Sequence, residues 1–155
     1  MWSSRRAFLI GLAALSGCGF TPVYGPGGAA ERLRGQVAVE VPATAQGYAL
    51  RRRVLDRLGG AGTALELTVA PTLEEGASAI APDGATTRLR LVGTADWRLT
   101  DAAGTLVSEG REEAFTAFSV TGSTVAARTA RVDAEERLAV LLADRIVTRL
   151  IALVP

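Results

Sequence analysis

The sequence predicts an α+β fold, a two-layer sandwich in which a four-stranded, largely antiparallel sheet is covered by two helices. Three observations predict it. Four stretches alternate apolar and polar residues with the period of a half-buried strand. Two other stretches gather their apolar residues on one side of a helix, with arginines and carboxylates on the rest. A sheet with one apolar face needs a cover, and two amphipathic helices supply it.

The chain has 155 residues, enough for one domain behind a short targeting segment, and 48% of them are hydrophobic. The first strand spans Gln36 to Val41, with Val37, Val39 and Val41 on one face and Pro42 as its stop. Tyr48 to Leu58 follows as a helix, with Leu50, Val54, Leu55 and Leu58 on one side and Gly59-Gly60 as its end. Its other side holds Arg51, Arg52, Arg53 and Arg57, either a solvated face or an anion-binding patch. Thr63 to Thr72 alternates again, and Gly76 to Ala85 reads as the loop after it. In Thr86 to Thr100, Leu89, Leu91, Gly93, Ala95, Trp97 and Leu99 share one face, and Arg88, Arg90, Thr94, Asp96 and Arg98 share the other. Asp101 to Gly104 is a turn that leads into a partner strand over Thr105 to Val120. That strand's alternation changes phase near Gly110, so a bulge or twist is expected there. Thr124 to Val154 is helical, with Val132, Leu138, Leu142, Ile146, Leu150 and Leu153 on its apolar side. Asp133-Ala134-Glu135-Glu136 resembles a capping box, so a start or restart of the helix is expected there. The three strands after the first helix should form an antiparallel meander, while the direction of the first strand is open.

Charge and chemistry exclude several function classes. The 17 basic residues, all arginine, face 16 acidic ones. Arg5 and Arg6 lie in a segment expected to be removed, which leaves 15 against 16 and no electrostatic case for nucleic acid. There is no histidine and one cysteine, hence no Ser-His-Asp triad, no Cys-His pair and no His- or Cys-rich metal site. No cofactor or metal is expected. Scattered carboxylates such as Glu74, Glu75, Glu112 and Glu113 are the one basis for an enzyme, and paired acidic residues are usually solvated.

The lone cysteine is explained by the N-terminus. Trp2 to Arg6 is a short positive region, Ala7 to Leu15 is an apolar run, and Ser16-Gly17 are small residues before Cys18. This is the layout of a secretory signal. Nine apolar residues make about 14 Å of helix at roughly 1.5 Å per residue, against about 30 Å for a bilayer core. Leu15-Ser16-Gly17-Cys18 resembles a lipobox: the chain is expected to be cut before Cys18, and the thiol to take up lipid. Acyl chains such as palmitate, at about 0.8 kcal/mol per buried methylene, would hold it on the membrane. Arg5-Arg6 serves either as part of a twin-arginine export motif or as the positive region of a general secretory signal. The expected organisation is therefore a signal peptide over 1–17, a lipidated cysteine and flexible tether over 18–35, and a single domain over 36–155.

Cys18-Gly19-Phe20-Thr21-Pro22-Val23-Tyr24-Gly25 resembles the opening of the LptE family, also called rare lipoprotein B, in its alphaproteobacterial form. The strand, helix, Trp97-containing meander and long last helix fit that family over nearly the whole mature chain. The resemblance implies an outer-membrane lipoprotein, anchored on the periplasmic face. It would bind and plug the LptD-type barrel, contact lipopolysaccharide and assist its insertion, without being an enzyme. Arg88, Arg90 and Arg98, on the non-core face of one strand, are candidates for lipopolysaccharide binding, because guanidinium forks match phosphates and carboxylates. The alternative is a lipoprotein subunit of another envelope lipid transporter, with an ABC- or MCE-type partner.

Overall fold

The computed structural model describes Gly25 and residues 28–82 and 84–153. Its elements are α1 (Ala29–Leu33), β1 (Val37–Glu40), α2 (Ala45–Leu58), β2 (Leu65–Ile80), β3 (Thr86–Asp101), β4 (Leu106–Ser119) and α3 (Thr124–Leu153). The four strands lie in the order β1-β2-β3-β4, so the expected two-layer α+β architecture is present. β1 pairs with β2 in parallel, Val37 opposite Leu65, and the remaining pairs are antiparallel. A parallel neighbour requires a crossover, and α2 supplies it. That settles the direction of the first strand.

One face of the sheet is covered by α2 and α3. The core is built from Val37, Leu67, Leu91 and Trp97 of the sheet against Leu50, Val54 and Leu58 of α2 and Leu138, Leu142, Ile146 and Leu150 of α3. Burial along β3 alternates as its sequence does, with Leu91, Gly93, Ala95, Trp97 and Leu99 inside. α2 begins at Ala45, a turn before Tyr48, because Thr44 caps it: its Oγ1 accepts from the Gly47 N–H at 3.0 Å. Gly59 ends it in the left-handed conformation, φ 76°, its N–H bonded to the Leu55 carbonyl.

Five local expectations change. The loop proposed for Gly76 to Ala85 is shorter, because β2 continues to Ile80 opposite β3, with irregular register around Ala77–Ile80. Small residues there hide the alternation, but β3 provides the ladder. The phase change near Gly110 is not a bulge. The irregularity falls at Val107, since Leu99 faces Ser108 while Thr100 faces Leu106. Gly110 faces inward under Trp97, where a Cβ would lie 2.7 Å from the indole Cζ2. Phe118 is therefore buried and Phe115 exposed, on opposite faces. α3 runs unbroken from Thr124, with Ser123 Oγ accepting from the Ala126 N–H, so Asp133 starts no helix and instead pairs with Arg137 at 3.1 Å. Val132 and Leu153 are 56% and 45% exposed: Val132 borders an open groove beside Tyr48 and Ala49 of α2, and Leu153 lies in the last turn of α3. Finally, α1 lies within the stretch expected to be tether, and its Ala30 and Leu33 join the core.

The molecule has two ends. The near end holds α1, the β3–β4 turn and the C-terminal half of α3, tied by the Gly35 N–H to the Leu58 carbonyl and by Arg149 to Glu112 at 3.3 Å. The far end holds the β2–β3 hairpin and the first turns of α3.

Candidate functional site

The uncovered face of the sheet carries a ladder of charge pairs. Asp96 and Arg111 sit directly opposite, and both guanidinium bonds are short, 2.6 and 2.7 Å. The Arg111 hydrogen bonds hold the Asp96 carboxyl below the usual carboxylate range and raise the arginine in turn. One pair further along, Arg98 bonds Glu109 at 3.1 Å, and Thr72 meets Thr94 at 2.6 Å.

This separates the three candidate arginines. Arg98 already has a carboxylate. Arg90 lies over the ring of Phe115, 4.5 Å from its centroid, and Phe115 is itself exposed. Arg88 is exposed opposite Ser119 and has no carboxylate partner among the described residues. Arg88 and Arg90 thus remain as two cations at the far end of the open face, beside an exposed aromatic ring. Cys18, Arg5, Arg6, Leu15, Ser16 and Gly17 lie outside the described residues.

The arginines of α2 have a different use. Arg53 and Arg57 converge on Asp144 of α3 at 2.9 and 2.7 Å, and Arg52 reaches Glu136 at 3.3 Å. The Asp144 hydrogen bonds raise the Arg53 pKa despite some desolvation. These residues clasp the two helices. The signal for this in the sequence is Asp144 itself, a carboxylate interrupting an apolar run. Of the scattered carboxylates, Glu75 pairs with Arg131 and Glu112 with Arg149. Among the described residues no group of three or more His, Cys, Asp or Glu is placed to hold a metal, and no helix is long and apolar enough to cross a membrane.

A second feature of the far end has no signature in the sequence periodicity. The sheet-facing stripe of α3 carries large side chains at Ile146, Leu142 and Leu138, then narrows to the buried Ala134 and the half-buried Ala130 and Ala127, with Glu135, Arg131 and Arg128 beside them. The sheet beneath stays apolar at Leu89, Phe118 and Val120. The short side chains of α3 leave a cleft of about 530 Å³ there, lined by those three residues with Ala127, Arg128, Arg131, Val132 and Glu135. Arg131 is fixed between Glu75 at 3.3 Å and Glu135 at 2.9 Å. Glu135 also accepts from Gln46 at 2.6 Å. Hydrogen bonding to Glu135, then the charge of Glu75, raises the Arg131 pKa.

An open sheet with one polar face and a helical cover on the other is an architecture shared with several solved lipoprotein structures. A Caulobacter crescentus protein described as a lipoprotein is 27% identical, with a TM-score of 0.67 over 79% of this chain and 93% of that one. Rare lipoprotein B from Shewanella oneidensis, 14% identical, has a TM-score of 0.58 over 76% of this chain and 94% of that one. A minor lipoprotein from Acinetobacter baumannii, 18% identical, has a TM-score of 0.60 over 76% and 91%. The last two establish the fold alone. No protein in the curated comparison matches the sequence. The model of the family LptE, described as lipopolysaccharide-assembly, matches residues 35–150. The chain belongs to the LptE family of lipopolysaccharide-assembly lipoproteins, whose work lies in the cell envelope.

Proposed function

We propose that this protein is an outer-membrane lipoprotein that binds and plugs an LptD-type barrel and assists the insertion of lipopolysaccharide. The family match over residues 35–150 is the observation that carries this reading. The signal-like N-terminus supports export, cleavage before Cys18 and acylation there, with the domain held on the periplasmic side. The part of the uncovered sheet face around Asp96–Arg111 and Arg98–Glu109, polar and internally charge-paired, suits contact with the polar lumen of a barrel. The protein acts by binding and not by catalysis, in keeping with a chain that has no histidine.

Within this reading Arg88 and Arg90 meet the anionic groups of lipopolysaccharide, while Arg98 serves the sheet through Glu109. Replacing both Arg88 and Arg90 by Glu should weaken lipopolysaccharide binding at least tenfold, whereas Arg98→Gln should change it less than twofold. Equal binding by all variants would remove the role of these two residues. For the function as a whole, mild cross-linking in cells followed by identification of the attached protein is the test. An LptD-type barrel is the expected product. An ABC- or MCE-type component in its place would move the protein to another envelope lipid transporter.

A further inference from the structure

We propose that the cleft between the first turns of α3 and the far end of the sheet holds one acyl chain of an anionic amphiphile, with its charged head at Arg128. The cleft lies on the opposite face of the sheet from Arg88 and Arg90, and it is reached by a different part of the ligand. The proposal rests on the lipid-handling reading above for the class of ligand, and it adds a site to it.

Three features fix the occupant. The floor is apolar and continuous: Leu89 is partly buried, Phe118 is 6% exposed, and Val120 packs against the core, while α3 adds only the short side chain of Ala127 and that of Val132 to the apolar lining above them. In the rest of the molecule the same stripe of α3 closes on the sheet through Leu138 and Leu142. The volume, about 530 Å³, is that of a small-molecule site, which runs from about 300 to 1,000 Å³. A stable protein interface needs roughly 800 Å² from each partner, a broad surface and not a slot.

The third feature is charge. The lining holds two arginines and one carboxylate, Arg128, Arg131 and Glu135. Arg131 is satisfied by Glu75 and Glu135, whereas Arg128 has no carboxylate partner among the described residues. An apolar slot with one unanswered cation at its rim matches a hydrocarbon chain that ends in a single anionic group. The Arg131–Glu135 pair, held by Gln46 from α2, keeps the roof in place when the slot is empty.

The test uses the full-length lipoprotein in its own membranes and a photoreactive dodecyl phosphate as probe, with adducts mapped by peptide mass spectrometry. Label is expected on β3 at Leu89 and on the segment from Phe118 to Val132. Dodecyl phosphate should compete, dodecanol at least fivefold less well, and inorganic phosphate not at all. Arg128→Glu, at an exposed position that leaves the core untouched, should reduce the label at least fivefold, and Leu89→Gln should do the same. The double variant Arg88→Glu/Arg90→Glu should keep it. Label spread evenly over the open sheet face, label indifferent to Arg128→Glu, or a peptide or second copy cross-linked in the cleft in place of the probe would overturn the proposal. Barrel capture from the same cells is read separately. A captured barrel with an unlabelled cleft rejects this site and leaves the proposed function standing, and a labelled cleft without a barrel does the reverse.

Discussion

The near and far ends of this molecule are made from the same strands and the same last helix, yet they are built for different purposes. At the near end Ile146, Val147, Leu150 and Ile151 of α3 are all buried, and Trp97 packs so closely on Gly110 that no Cβ fits between them. Large apolar side chains are exposed at both ends, Ile80 (65%) and Val125 (74%) at the far one, Leu106 (49%), Val107 (53%) and Leu153 (45%) at the near one. What sets the far end apart is charge: there the exposed apolar groups lie near Arg88, Arg90 and Arg128, which have no carboxylate partner among the described residues. On the proposed reading, stability is concentrated where the chain leaves toward its expected anchor, and recognition where the hairpin and the start of α3 project. Substitutions at the two ends should therefore act on different measurements.

The largest effect is expected in the core. Leu142→Ala removes a fully buried side chain between α3 and the sheet and should cost about 2–5 kcal/mol, read by urea unfolding. A smaller loss would mean that the core can collapse around the gap. Gly110→Ala should cost about 1–3 kcal/mol, because the indole of Trp97 must shift to admit the methyl group. Near-native stability in that variant would show that the contact is looser than its geometry. Asp144→Asn weakens two ion pairs between α2 and α3 that are about one-third exposed, and about 1 kcal/mol is expected. Val125→Ser at the far end should leave the midpoint unchanged to within about 0.5 kcal/mol, the range of an ordinary surface substitution. A large loss there would erase the contrast between the ends.

The smallest effect concerns pH. The folded-state pKa of Asp96 lies below its unfolded value, so its contribution is present above the unfolded pKa and fades as the pH falls through the folded one. Asp96→Asn should therefore lower the melting temperature slightly at neutral pH. The gap to the wild type should close in acid, below the ordinary carboxylate range. A gap that persists unchanged into acid would mean that the charge of Asp96 is not its source.

The fold is legible in the sequence because alternation and helical spacing report burial, and burial is what the sheet and its cover share. β3 is the clearest case, with its inward set from Leu91 to Leu99 found inside. The same signal failed where burial stops. Gly76 to Ala79 are small and, like Ile80, exposed, so no alternation announces a strand there, and the partner β3 makes it one. Gly110 broke the alternation because an inward position was left empty to admit an indole from the next strand, a contact between residues 13 apart. For the same reason the clasp is marked in the sequence only by Asp144 interrupting an apolar run, without its partners, and the cleft at Arg128 and Arg131 is not marked at all. Each is defined by the side chain opposite, and a single strand or helix does not carry that information.

Hydrogen exchange on the full-length lipoprotein, with and without lipopolysaccharide, tests the division between the two ends most directly. Amides over residues 138–150 should be slow in both conditions. Those over residues 87–91 and 124–133 should be fast in the protein alone and slow at least tenfold when the lipid is added. Protection gained only at the near end, or gained nowhere, would contradict the account.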